Sequence, residues 1–170
     1  MPKTRVFVDT CIIIEAFQTS TWSSLCERYD VETVEKCVEE CSTGDVTLPD
    51  RANIPEARLR ADLAKIHAVS TKDLMALTEI AGLPVIDEGE RHLMAWLYAN
   101  RPKNVAVLVS TSDRAAVRAA HVLRLLDQVR SLEFLLKNAG VSPKKIEKLR
   151  KHFLDEWMIQ ARTRIVMNVL

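Results

Sequence analysis

The run V-A-V-L-V-S-T-S-D at residues 105–113 decides how this chain folds. Five apolar residues in succession, three of them valine, describe a strand buried on both faces, as in a parallel sheet. The hydroxyl-rich turn ends in Asp113, and the helical composition R-A-A-V-R-A-A begins directly after it. Strand, acidic turn and helix therefore follow one another. The same order opens the chain: Val6-Phe7-Val8 is a strand, Asp9-Thr10-Cys11 the turn, and an apolar helix continues through Ile14 and Phe17. Residues 83–86, L-P-V-I, read as a further strand that ends in Asp87-Glu88-Gly89-Glu90. The helix beyond it, over about residues 90–99, buries Leu93, Met94, Trp96 and Leu97.

Between these units, residues 29–33 predict a strand and residues 34–41 a helix stopping at Gly44, whereas V-T-L-P at 46–49 is too short to assign. Residues 52–68 have a helical, mostly polar pattern. Ser70 or Thr71 caps a helix over 73–81 that stops at Gly82. Beyond residue 123 we expect a short strand near Leu125, a helix over 131–139 closed by Gly140, and a long final helix opened by Ser142 and Pro143. Ile146, Leu149, Phe153 and Trp157 fall on one stripe of that last helix. Strands alternating with helices through short connections make an α/β parallel sheet. The expectation is one domain over residues 1–170, with 141–170 as an amphipathic helix packed on it or on a partner subunit.

Composition excludes several classes. The 170 residues carry 24 basic and 23 acidic side chains, a net charge of +1, with 48% hydrophobic residues, which is neither a disordered tail nor a uniformly basic coat. No apolar run reaches the 18 residues of a membrane helix, and M-P-K-T-R leads into a strand rather than a signal-peptide core; a cytoplasmic protein is expected. Cys11, Cys26, Cys37 and Cys41 have no C-x-x-C spacing and read as free thiols. The near-zero charge conceals a segregation: residues 27–50 hold eight acids against two bases, residues 137–164 eight bases against three acids. An acidic site beside a basic rail would have this pattern, as would two solvated helix faces.

In open parallel sheets ligands bind beyond the carboxyl ends of the strands. Asp9, the acids at 87–90 and Asp113 are expected there, with Glu40 joining them if its helix packs over the same edge. Each acid alone is also a favourable helix N-terminal residue. Convergent carboxylates without balancing bases repel one another unless a divalent cation binds, and an oxygen-only set without paired histidines suits Mg²⁺ or Mn²⁺.

These motifs resemble the PIN-domain nucleases over about residues 5–140. V-F-V-D-T-C-I-I-I (6–14) is similar to the family's opening strand and first acid, and V-E-E-C-S-T-G (38–44) to its second motif. D-E-G-E-R-H-L-M-A-W-L (87–97) resembles the Gly-Glu form of the third, and V-L-V-S-T-S-D-R-A-A-V-R-A-A (107–120) the fourth. The resemblance implies an α/β/α sandwich and hydrolysis of RNA, single-stranded in the expected case, by a Mg²⁺ or Mn²⁺ site. Its ligands and catalytic acids would be Asp9, Glu40, Glu90 and Asp113, with Thr111 holding the last acid. Glu39, Asp87 and Glu88 compete for these places, Asp87 also in a supporting role. Cys11 stands where the family usually has Asn or Ser. Arg114 and Arg118, and Lys144, Lys145 and Lys148 on the last helix, are the candidate contacts to RNA phosphates.

A haloacid dehalogenase-type phosphatase needs a second Asp where Cys11 stands. Four glycines (Gly44, Gly82, Gly89, Gly140) build neither G-x-G-x-x-G nor a Walker A loop, and no G-x-S-x-G occurs. His67, His92, His121 and His152 occur singly and read as structural or surface residues, as Trp96 and Trp157 do as core. The alternative is a catalytically inactive PIN-like module binding RNA or protein. A homodimer and an antitoxin-like protein partner also remain open.

Overall fold

Val6, Phe7 and Val8 are wholly buried at the centre of a five-stranded sheet, as an unbroken apolar run requires. The computed structural model describes residues 2–43, 54–102 and 105–168. All pairings are parallel, in the order β3-β2-β1-β4-β5. The strands are β1 (Arg5–Val8), β2 (Asp30–Val34), β3 (Lys65–His67), β4 (Val107–Ser110) and β5 (Val129–Arg130). Helices α1 (Thr10–Gln18) and α2 (Trp22–Arg28) connect β1 to β2, and α3 (Glu35–Thr43) and α4 (Glu56–Asp62) lie between β2 and β3. Helices α5 (Thr71–Thr78) and α6 (Glu88–Asn100) lead to β4, and α7 (Arg114–Val122) leads towards β5. After β5 come α8 (Leu132–Asn138), α9 (Pro143–Ile146) and α10 (Asp155–Val166). This is an α/β fold consistent with an α/β/α sandwich. No described helix is long and apolar enough to cross a membrane.

The chain leaves β1 for β2 on one side and later returns to β4 on the other, so β1 and β4 are neighbours with divergent connections. Val8 pairs with Ser110, which brings the residues after the two strands together in the crevice typical of such a switch point. On the other half of the sheet Glu32 ties three strands. Arg5 donates to it through Nε at 2.5 Å and Nη2 at 2.8 Å, and His67 Nε2 lies 2.6 Å from its Oε2. Burial alone would raise the Glu32 pKa, but the bonds from Arg5 and His67 outweigh it and hold the carboxyl below its usual range. The His67 ring lies tilted against Trp96 with centroids 3.8 Å apart, which covers the pair with an aromatic surface.

Four expectations need correction. Residues 83–86 are not a strand: Pro84 has no N–H to give a ladder, and Val85 is 97% exposed. The sheet position beyond β2 belongs to K-I-H of β3, inside the stretch 52–68 expected to be helical; there α4 ends at Asp62 and the strand follows. Asp87 is consequently the residue before α6 and not a strand end. The long last helix is divided into α9, a 3₁₀ turn at Lys151–Phe153 and α10. The amide of Arg150 donates to Glu15 Oε1 at 2.8 Å, a partner outside any helical ladder. Ile146, Leu149 and Phe153 nevertheless stay buried in the chain's own core, with Trp157 packed against it. Helix α2, with buried Trp22, had no counterpart in the sequence reading. The expected stop at Gly44 and the segment 46–49 lie outside the described residues.

Other local signals agree with the structure. Ser70 and Asp73 form a capping box at α5, and Gly140 follows the end of α8 at φ +73°, whereas α5 already stops at Thr78 and Gly82, at φ +79°, lies in the turn beyond it. The expected strand near Leu125 is β5, a few residues later. None of the four cysteines is in a disulfide, and Cys37 and Cys41 are buried.

Candidate active site

Asp9 follows β1 directly and caps α1, its Oδ1 accepting from the Ile12 amide at 3.0 Å. The side chain is wholly buried and its Oδ2 has no hydrogen-bond partner. Burial pushes its pKa up to about 6; the Thr111 hydroxyl and Ile12 amide oppose the shift, while the Asp113 and Glu40 charges add to it. Beyond β4, Asp113 caps α7 by accepting from the Ala116 amide at 2.8 Å. Its own amide donates to Thr111 Oγ1 at 3.2 Å, so the buried threonine braces the turn that carries the acid.

Glu90 lies in the first turn of α6 and is 6% exposed. Its pKa rises to about 9, first from burial and then from the charges of Asp9, Asp113 and Asp87. Mutual electrostatic action thus joins acids from α1, α6 and α7. Glu40 comes from α3: its Oε2 accepts from Thr10 Oγ1 at 2.6 Å and its Oε1 from the Gly89 amide at 3.0 Å.

A cavity of about 560 Å³ is lined by Thr10, Cys11, Ile14, Glu40, Asp87, Glu88, Glu90, Arg150, His152 and Phe153. Of the competing acids, Glu39 is not on this lining and pairs with Lys36 at 3.3 Å. Glu88 lies at the rim, 2.9 Å from Arg91 and 3.4 Å from Lys36, and Asp87 is exposed without capping α6. Asp9 and Asp113 do not line the cavity. Among the described residues, no three His, Cys, Asp or Glu side chains are disposed as a ready-made metal cage. The donor chemistry nonetheless fits a hard divalent cation. The orphaned Asp9 Oδ2 and two carboxylates with raised pKa values are groups whose charge a cation would stabilise.

The expected phosphate contacts are elsewhere. Arg114 and Arg118 are exposed on α7, Lys144 and Lys145 are exposed on α9, and Lys148 is exposed just beyond it; none of the five lines the cavity. Lys145 donates to the Ser20 carbonyl at 3.2 Å. The basic side chains at the cavity wall are Arg150 and His152, of which the sequence singled out Arg150 only as one of the eight bases in residues 137–164. Arg150 Nε donates to Glu15 Oε2 at 2.7 Å, and Glu15 itself is 1% exposed. The available signal was Glu15, an acid within the apolar run I-I-I-E-A-F, because a buried carboxylate needs a partner. That signal does not say which of 24 bases supplies it. Comparison with protein-family models, with curated proteins and with solved structures finds no match for this chain.

Proposed function

We propose that the protein is a PIN-like ribonuclease that hydrolyses phosphodiester bonds with Mg²⁺ or Mn²⁺ held by Asp9, Glu90 and Asp113, with Glu40 as the fourth acid. The observation that carries this reading is the pair of buried acids Asp9 and Glu90, with raised pKa values and an oxygen left unpartnered, beside the β1/β4 switch point. When bound, such an ion acidifies water and stabilises charge on phosphodiester oxygens.

The chain's own residues have distinct tasks in this reading. The Ile12 and Ala116 amides orient Asp9 and Asp113 by capping bonds, leaving the second oxygen of each carboxylate for the site. Thr111 fixes the turn before Asp113. Glu90, held protonated at neutral pH in the metal-free protein, must lose its proton before it can ligate. Arg150, paired with Glu15, and His152 line the same cavity as Glu40 and Glu90, on the wall an anionic substrate would meet. The exposed lysines of α9 supply attraction to an RNA backbone at longer range.

The test is cleavage of a labelled single-stranded RNA with Mn²⁺ and with chelator, using the wild type, Asp9→Asn and Asp113→Asn. Cleavage that requires Mn²⁺ and disappears in both variants is the expected result. RNA retained but uncut under every condition would instead make the chain a binding module.

A further inference from the structure

We infer that Gly89 is a positioning residue: its amide and its missing side chain fix the Glu40 carboxylate against the acidic cavity. The first amides of any helix lack intrahelical partners. At α6 the local candidate, Asp87, makes no capping bond. The Gly89 amide is capped from another helix instead, by Glu40 Oε1 at 3.0 Å, from 49 positions earlier. The other oxygen, Oε2, accepts from Thr10 at 2.6 Å. One carboxylate therefore ties the beginnings of α1 and α6 to α3, uniting the residues after β1, the acidic end of α3 and the turn that carries Glu90.

This contact needs glycine. A Cβ at position 89 would lie 2.4 Å from Glu40 Oε2 and 3.0 Å from both Glu40 Cδ and Thr10 Oγ1. Long side chains usually yield to such a clash. Here the carboxylate is held on both oxygens, so it can move only by giving up Thr10 or the helix amide. Lys36 of α3, 3.4 Å from Glu88, closes the same junction from outside. Helix propensity runs the other way, since alanine is favoured over glycine within a helix. A glycine that only continued α6 would be improved by alanine; one that accommodates Glu40 would not.

The effect on metal binding rests on the proposed function, whereas the packing claim does not. The experiment uses the full chain as wild type, Gly89→Ala, Glu40→Asp and the double variant, with thermal melts in chelator and Mn²⁺ titrations by calorimetry. Gly89→Ala should melt below the wild type and bind Mn²⁺ about ten- to a hundredfold more weakly, the usual loss when a group supporting a ligand is disturbed. Glu40→Asp withdraws the carboxylate by one methylene, so it should lower the melting temperature of the wild type but raise that of Gly89→Ala. If Gly89→Ala does not fold, a double variant that folds supports the assignment and one that does not overturns it. Gly89→Ala melting at or above the wild type, or Glu40→Asp having the same effect in both backgrounds, also overturns it. A wild type that takes up no Mn²⁺ defeats the nuclease reading, and the melting cycle still decides whether Gly89 holds Glu40.

Discussion

Replacing Glu90 by glutamine should stabilise the metal-free protein, by an amount that grows with pH. Glu90 is 6% exposed and its folded pKa is about 9, against an ordinary value of 4.5. Below pH 4 the carboxyl is protonated in both folded and unfolded chains and contributes no difference. As pH rises above 4.5 the unfolded chain releases this proton while the folded chain keeps it, so native stability falls until the folded group also ionises near pH 9. Each pH unit in that window is about 1.4 kcal/mol, which makes the cost under 1 kcal/mol at pH 5 and about 3 kcal/mol at pH 7. Glutamine keeps the shape and removes the titration. Urea unfolding of both proteins in chelator, at pH 5, 7 and 8, should show the two stabilities diverging in this way. At about 2–4 °C per kcal/mol, the melting temperature at pH 7 should rise by roughly 6–12 °C. Equal differences at pH 5 and pH 8, or a variant less stable throughout, would refute the reasoning.

Mn²⁺ binding at pH 7 should release about one proton per protein, nearly all from Glu90 with about a tenth from Asp9, measurable by calorimetry in buffers of different ionisation enthalpy; binding without release would contradict the raised pKa values. Asp9→Asn should abolish cleavage and raise metal-free stability, because asparagine keeps the bond to the Ile12 amide and removes a buried charge. Glu32→Ala should cost about 3–5 kcal/mol in urea unfolding, since Arg5 and His67 lose their shared partner between three strands. Changing Lys144, Lys145, Lys148 and Lys151 to glutamine should weaken binding of single-stranded RNA and flatten its salt dependence with little change in melting temperature. Truncation after Gly140 should prevent stable folding, because Ile146, Leu149, Phe153, Met158 and Ile165 all join the buried core and each contributes about 1.5–3 kcal/mol; a truncated chain with an unchanged melt would refute this.

The residues 6–9 and 107–113 alone determined the centre of the fold and the position of two acids. An apolar run long enough to be buried on both faces, followed by a carboxylate able to cap the next helix, is a local signal that needs no knowledge of partners. The capping box at Ser70 and the turns at Gly82 and Gly140 are local in the same sense. Pairing partners are not local, and there tertiary structure decided. K-I-H at 65–67 has no strand pattern of its own and becomes one because Val34 and Glu32 offer it an edge and His67 finds the Glu32 carboxylate. L-P-V-I at 83–86 has the apolar pattern, and Leu83 and Ile86 pack against the core, but no described strand pairs with it. Glu39 and Glu40 are adjacent on one helix and equally acidic; only the packing of α1 and α6 against α3 gives Glu40 the Thr10 hydroxyl and the Gly89 amide and leaves Glu39 to Lys36 at the surface. Arg150 reaches Glu15 across 135 residues by a break in what periodicity presents as one helix. A helical stripe records which side chains must be buried, and the backbone path that buries them depends on a hydrogen-bond partner far away in the chain.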